Sequence, residues 1–383
     1  MDAYITATGR FLPGEPITND EIDDYIGKVG RASSILKDQV LQNCGIKTRY
    51  YAIDKHQQTV YSNTAMAARA VRDAVERAGL QPEQVEMLAA ATTMPDLMLP
   101  GHASMVHGEL GYPPMEIVTT HGVCSSGMMA LKNAYLQVKA GEKSTAVSVA
   151  SELVSRGMKH TRYKDMRTVV EQGSLPMETA FLRYMLSDGA GAVVVSNTPA
   201  SDRLSLRIDW ISLTSYANTE KACMYLGSKD NTCEKTSGDY PNAFAAVADG
   251  AVALRQELSL LPHLVRVGLD EFERLSREGK FDIDTLSWMP AHYSSEGMRV
   301  MIADEIKRRG IPIRNPERWF SNLTRVGNLG SASMFVILDE MLRENYIRAG
   351  EKLLCMVPES GRFAISYMHL TAVPGIGQQE NVG

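Results

Sequence analysis

Residues 117–133 read IVTTHGVCSSGMMALKN. A β-branched apolar start gives way to small residues around Cys124, and then to apolar residues at helical spacing. That order predicts a strand, a tight junction and a helix, with the cysteine at the junction. Unpaired N–H groups at a helix start carry partial positive charge, which favours a thiolate, the attacking form of cysteine. The small neighbours Ser125, Ser126 and Gly127 would let a substrate approach closely. Without further context a cysteine packs more often than it reacts, and Cys44, Cys223, Cys233 and Cys355 keep that bland reading.

Outward from the junction, VEMLAAAT (85–92), STAVSVAS (144–151) and GAVVVS (191–196) are further apolar, β-rich runs. Between them, YSNTAMAARAVRDAVERAGL (61–80) places Ala67, Val71, Ala74, Val75 and Ala78 on one helical face, with Gly79 as the stop. Strands alternating with helices predict an α/β architecture. The second half repeats the plan: TLSWMPAH (285–292) as a strand, 295–310 as a helix closed by Gly310, 332–345 as a helix and KLLCMVPES (352–360) as a strand. This suggests a duplicated α/β unit, with residues 1–200 carrying the cysteine and 201–383 the remaining chemistry. Residues 155–185 fit neither rhythm and read as a cap or dimer-contact insertion.

The chain of 383 residues, 44% hydrophobic and 22% charged, has the composition of a globular enzyme. No apolar window is long enough for a membrane span, and the first residues do not read as a secretory signal, so a cytoplasmic location is expected. A net charge of −5 argues against a nucleic-acid partner. Five scattered cysteines without a C-x-x-C pair suggest neither a disulfide framework nor a zinc site.

A nucleophile needs partners. His292 follows an apolar strand and precedes a helix, the strand edge where α/β sites lie. Asn328 sits between Gly327 and Gly330, where the plain alternative is a cap or turn residue. Each is weak alone, but all three residues fall at strand-to-helix junctions. His121, three residues before the cysteine, is either a strand-end residue or a base acting behind it.

Several ordered motifs resemble those of β-ketoacyl-acyl carrier protein synthase III and its thiolase-superfamily relatives. They are ATGRFLPGEPITNDEI (7–22), TTMPDLMLPGHASMVHGELG (92–111), HGVCSSGMMAL (121–131), LSDGAGAVVVS (186–196), WMPAHYSS (288–295), VGNLGSAS (326–333) and ESGRF (359–363). The resemblance implies a duplicated, five-layered αβαβα fold with mixed sheets. It makes Cys124 the acyl-accepting nucleophile, and His292 and Asn328 the donors that stabilise an enolate. The Cys124 and Gly361 N–H groups become the oxyanion hole, and Arg299, Lys307 and Arg308 a docking patch for an acidic carrier protein. It implies acyl carrier protein or CoA thioesters as partners, a homodimer in which Leu99 lines the acyl tunnel, and no metal or redox cofactor.

The departures narrow the reading. Residues 33–51 contain no Trp, which speaks against acetyl-CoA priming, and Arg362 stands beside the oxyanion turn. Such departures resemble the DarB-type ketosynthase/cyclases of bacterial dialkylresorcinol and alkylstilbene biosynthesis. These join a β-ketoacyl thioester to an α,β-unsaturated acyl thioester and close a cyclohexanedione. The alternatives are a starter synthase using malonyl-carrier protein and, from another class, a catalytically silent partner subunit.

Overall fold

The computed structural model describes residues 1–313 and 318–379. Its main strands are β1 (Tyr4–Phe11), β2 (Met87–Thr92), β3 (Glu116–His121), β4 (Thr145–Glu152), β5 (Gly189–Ser196), β6 (Ser205–Ser215), β7 (Lys352–Glu359) and β8 (Ala364–Val373). Its main helices are α1 (Ser33–Cys44), α2 (Asn63–Ala78), α3 (His102–Leu110), α4 (Ser126–Ala140), α5 (Met177–Met185), α6 (Leu261–Arg277), α7 (Glu296–Arg309) and α8 (Ser333–Arg343). The strands form one sheet in the order β7-β8-β6-β1-β5-β4-β2-β3. Only β2 with β3 and β2 with β4 pair in parallel; the other neighbours are antiparallel.

Alternation along the strands sorts the core into layers. In β2, Leu88 and Ala90 face α2 and α3, whereas Met87, Ala89 and Ala91 face α4. In β7, Leu353, Cys355 and Val357 face the layer of α4 and α8, whereas Leu354 and Met356 pack with residues of α6 and α7. Helices α4 and α8 therefore lie between the two ends of a sheet that folds over them. This is the expected α/β layering, except that the Tyr4–Arg207 and Ile5–Leu206 pairs join the two sheets edge to edge.

Local chemistry explains the elements. In α2 the Ser62 side chain accepts from Ala65 N at 3.0 Å, and Gly79 closes the helix with φ +70°. Its alanine face rests directly on β1, where a Cβ on Gly9 would come within 2.4 Å of Ala70 O. In α7 Ser295 caps Met298 N at 3.2 Å and Gly310 ends the helix at φ +67°.

Three expectations need correction. Residues 285–292 form no continuous strand. The segment lies extended beside β7, bridging Trp288 to Leu353 and Ala291 to Met356, and Pro290 interrupts it because it has no N–H to give. The paired strands β6 and β8 and the helix α6 were not expected at all. In β6, Arg207 and Asp209 break up the apolar run that marks the other strands. Cys233, read as a packing cysteine, is exposed in a loop with φ +56°; the other three are buried, Cys355 in the central layer.

The 155–185 segment folds as short helices, Ser155–Met158, Arg167–Gln172 and α5. Met158, Tyr163, Met166, Leu175 and Leu182 bury against Ile22, Ile26 and Val40, so it packs as a cap on this face. Buried Arg183 pins it by donating to Met158 O and Ile26 O, each at 2.9 Å. Asp188 adds a second tie by accepting from Ala52 N at 2.7 Å and Ser155 N at 2.9 Å.

Candidate active site

The parallel strands β2, β3 and β4 all end at one edge, and the extended 287–292 segment and β7 deliver their C-terminal residues there too. A buried cavity opens at this edge, lined by Thr93, Cys124, Glu152, Ser294, Asn328 and Ser360. Met94, Leu182, Met185, Leu186, Met224 and Leu254 supply its apolar wall. Its free space is about 20 Å³, room for a single water, so an acyl chain requires the wall to move. Three of the wall residues are methionines, whose flexible side chains permit that.

Cys124 lies in the turn just before α4, whose N-cap is Ser125, and is 7% exposed. The expectation that the helix start would favour its thiolate is overturned. Burial raises the thiol well above its ordinary pKa, and the nearby carboxylates of Glu359 and then Glu152 raise it further. The helix-start N–H groups are also engaged: Ser125 N donates to Glu359 Oε2 at 2.9 Å and Ser126 N to Val123 O at 3.2 Å.

The small neighbours are structural rather than an opening for substrate. Ser125 Oγ donates to Val357 O at 3.3 Å and accepts from Ser366 Oγ at 2.8 Å. Gly127 faces the Ser331 carbonyl, where a Cβ would sit only 2.3 Å away.

Asn328 shares the cavity with Cys124. Its Oδ1 accepts from Gly330 N at 2.9 Å, which fixes the amide and leaves Nδ2 as the donor on its other side. His292 is 3% exposed, and its backbone N–H donates to Met356 O at 3.0 Å. It does not line the cavity, although Ser294, two residues further on, does. Burial lowers its pKa to about 4, so the imidazole is neutral at physiological pH, and its Nε2 is buried without a protein partner. Among the described residues, Asn328 thus shares the cavity with the cysteine, and the buried Nε2 of His292 is left without a protein partner.

The remaining expected residues divide. The Gly361 turn lies against the cysteine loop: a Cβ there would be 3.1 Å from Val123 Cγ2 and 3.0 Å from Glu359 Oε1. A carboxyl group therefore sits beside the expected oxyanion position, and burial raises its pKa. Arg362 turns away, donating to Glu220 O at 2.7 Å. His121 is exposed at the end of β3, its Nε2 3.1 Å from Thr93 O, and does not line the cavity.

Arg299 and Arg308 do not form a free basic patch, because Glu296 and Glu305 on the same helix hold their guanidinium groups. Lys307 is exposed. Leu99 does not touch this cavity; it stands 85% exposed beside Met98 at 91%.

Sequence reasoning missed Glu152 and Glu359. Glu152 ends β4 as the last residue of an apolar run, and Glu359 ends β7, so strand-end position was the available signal. Among the described residues no cluster of three or more His, Cys, Asp or Glu could hold a metal.

Residues 38–200, including the Cys124 junction, match the family model described as beta-ketoacyl synthase, N-terminal domain. Solved structures share the fold along nearly the whole chain. AbyA1, a tetronic acid condensing enzyme, is 19% identical, with 97% of this chain and 100% of that chain covered and a TM-score of 0.77. The 3-oxoacyl-[acyl-carrier-protein] synthase III of Aquifex aeolicus is 20% identical over 97% and 100% of the two chains, with a TM-score of 0.71. OleA of Xanthomonas campestris, in a variant form, is 17% identical over 97% and 98%, with a TM-score of 0.73. The chain thus shares the fold of these structures, and the Cys124 junction lies inside the matched family segment.

Proposed function

We propose that this protein is an acyl-thioester condensing enzyme that carries its acyl intermediate on Cys124. The observation that carries the reading is the cavity shared by Cys124 and Asn328, and the buried, unpartnered Nε2 of His292, two residues before the cavity-lining Ser294, supports it. In this reading Cys124 attacks an acyl thioester and releases CoA or the carrier protein. A second thioester then binds with its carbonyl oxygen between His292 Nε2–H and Asn328 Nδ2, which stabilise its enolate. The enolate carbon, freed by loss of an α-proton or of CO₂, attacks the acyl-cysteine, forms the carbon–carbon bond and expels the Cys124 thiolate, which takes up a proton. Loss of either donor is expected to slow this step about 10²–10³-fold. The Cys124 and Gly361 N–H groups are assigned to the acyl oxyanion, and the active form is taken as a homodimer offering the exposed Leu99 loop to its partner.

The finer reading is a ketosynthase/cyclase joining a β-ketoacyl and an α,β-unsaturated acyl thioester into a cyclohexanedione. A linear starter synthase using malonyl-carrier protein is the second reading, which the fold shared with synthase III favours. The deciding experiment incubates the purified protein with each substrate pair, identifies the products, and weighs the intact protein after acyl-CoA addition. A ring product and an acyl adduct absent from Cys124→Ala are expected. Product formation by Cys124→Ala would overturn the condensing reading; a linear product made only from malonyl donors would overturn the cyclase.

A further inference from the structure

Glu152 is the only carboxylate among the described residues that line the cavity, where it shares the wall with Cys124 and Asn328. It is 1% exposed. Its two oxygens are used unequally. Oε1 accepts from Ser331 Oγ at 2.5 Å, Thr93 Oγ1 at 2.7 Å, Thr93 N at 3.1 Å and Ser331 N at 3.3 Å. Among the described residues Oε2 has a single long contact, 3.3 Å from Thr93 N. Four donors anchoring one oxygen hold the side chain rigidly and leave the other oxygen the freer acceptor. Glu359, the other acid near Cys124, does not line the cavity, and its Oε2 is taken by Ser125 N.

Resting on the condensing reading, we infer that Glu152 is the general base that removes the α-proton of the second thioester, so the enzyme condenses donors that carry no carboxylate to lose. The α C–H bond breaks, its proton passes to Glu152 Oε2, and its electron pair becomes the enolate held by His292 and Asn328. The enolate carbon bonds to the acyl carbon on Cys124, and the C–S bond breaks. The proton on Glu152 then goes to the departing Cys124 thiolate, which its buried surroundings make strongly basic. Both side chains return to their starting states, and no oxidant or reductant is required. A malonyl donor needs no such base, because its electron pair comes from the bond to the departing CO₂. Burial supports the assignment by raising the Glu152 pKa to about 7, near the optimum for a base working at neutral pH.

The test uses the full-length protein, charged on Cys124 with octanoyl-CoA and freed of excess reagent. Two discharge reactions are followed by intact mass: carbon–carbon bond formation with 3-oxooctanoyl-CoA, and simple return of the octanoyl group to CoA. In Glu152→Gln, which keeps an oxygen for Ser331 and Thr93, discharge to 3-oxooctanoyl-CoA should slow about 10²–10⁴-fold. Return to CoA releases the same Cys124 thiolate but breaks no α C–H bond, so it should slow markedly less than the carbon–carbon reaction. No slowing, or equal slowing of both reactions, overturns the assignment. In the wild type the carbon–carbon reaction should rise through pH of about 7, with no such limb in the return to CoA. A carbon–carbon rate without that limb overturns the assignment even if the variant does not fold. A wild-type protein that accepts no acyl group on Cys124 defeats the condensing reading itself, a distinguishable outcome.

Discussion

At Cys124 two electrostatic effects of opposite sign meet, and their magnitudes decide which wins. A helix start stabilises an adjacent anion by about 0.3–1 kcal/mol. Removing an unpaired charge from water costs several kcal/mol, and Glu359 adds like charge. The resting thiol is therefore protonated. A carboxylate beside a thiol raises its pKa, so removing that charge lowers the pKa and increases the thiolate fraction. Glu359→Gln keeps an oxygen to accept from Ser125 N while losing the charge. At pH 8 it should react with iodoacetamide about tenfold faster, the effect of one pKa unit. An unchanged or slower alkylation rate would show that Glu359 is neutral in the resting protein.

At the scale of elements, the site depends on how closely the first turn of α4 approaches the 330–331 turn that precedes α8. Gly127 makes that approach possible, since a Cβ would meet Ser331 O at 2.3 Å and the Phe335 ring at 2.9 Å. The first is a backbone atom, so relief requires moving the turn that also holds Asn328. Gly127→Ala should cost about 1–3 kcal/mol, the range for overpacking a core. Urea unfolding measures this, and a stability within 0.5 kcal/mol of the wild type would mean the two elements separate freely. The glycine was visible in the sequence, but its partner lies more than 200 residues away. The reading that it admits a substrate was therefore local and wrong. The same limit hid β6 and β8, whose identity as strands comes from pairing with each other.

For the whole molecule, the buried carboxylate of Glu152 ties stability to pH. Its pKa rises from 4.5 to about 7 in the folded state. Between those values the folded protein holds a proton that the unfolded chain has released. Its stabilising contribution is thus complete below pH 4.5 and is lost as pH rises through 7. Glu152→Gln cannot titrate, so its Tm should gain on that of the wild type as pH goes from 4.5 to 7.5. His292, whose pKa falls to about 4, changes stability in the opposite direction in the same region, but equally in both proteins, so the difference cancels it. A Tm gap independent of pH would mean that Glu152 ionises normally.

The sequence by itself determined the α/β class and the positions of β2 to β5, β7, α2, α4, α7 and α8. Apolar periodicity and caps such as Ser62, Gly79 and Gly310 are local properties, written within a few residues. It also singled out Cys124 and Asn328, because strand-to-helix junctions leave their own mark of small residues. The tertiary structure alone decided the protonation of Cys124, the neutrality of His292 and the presence of Glu152 beside them. Those depend on how much water is excluded and on which charges are brought near, and both are set by contacts between residues far apart in the chain.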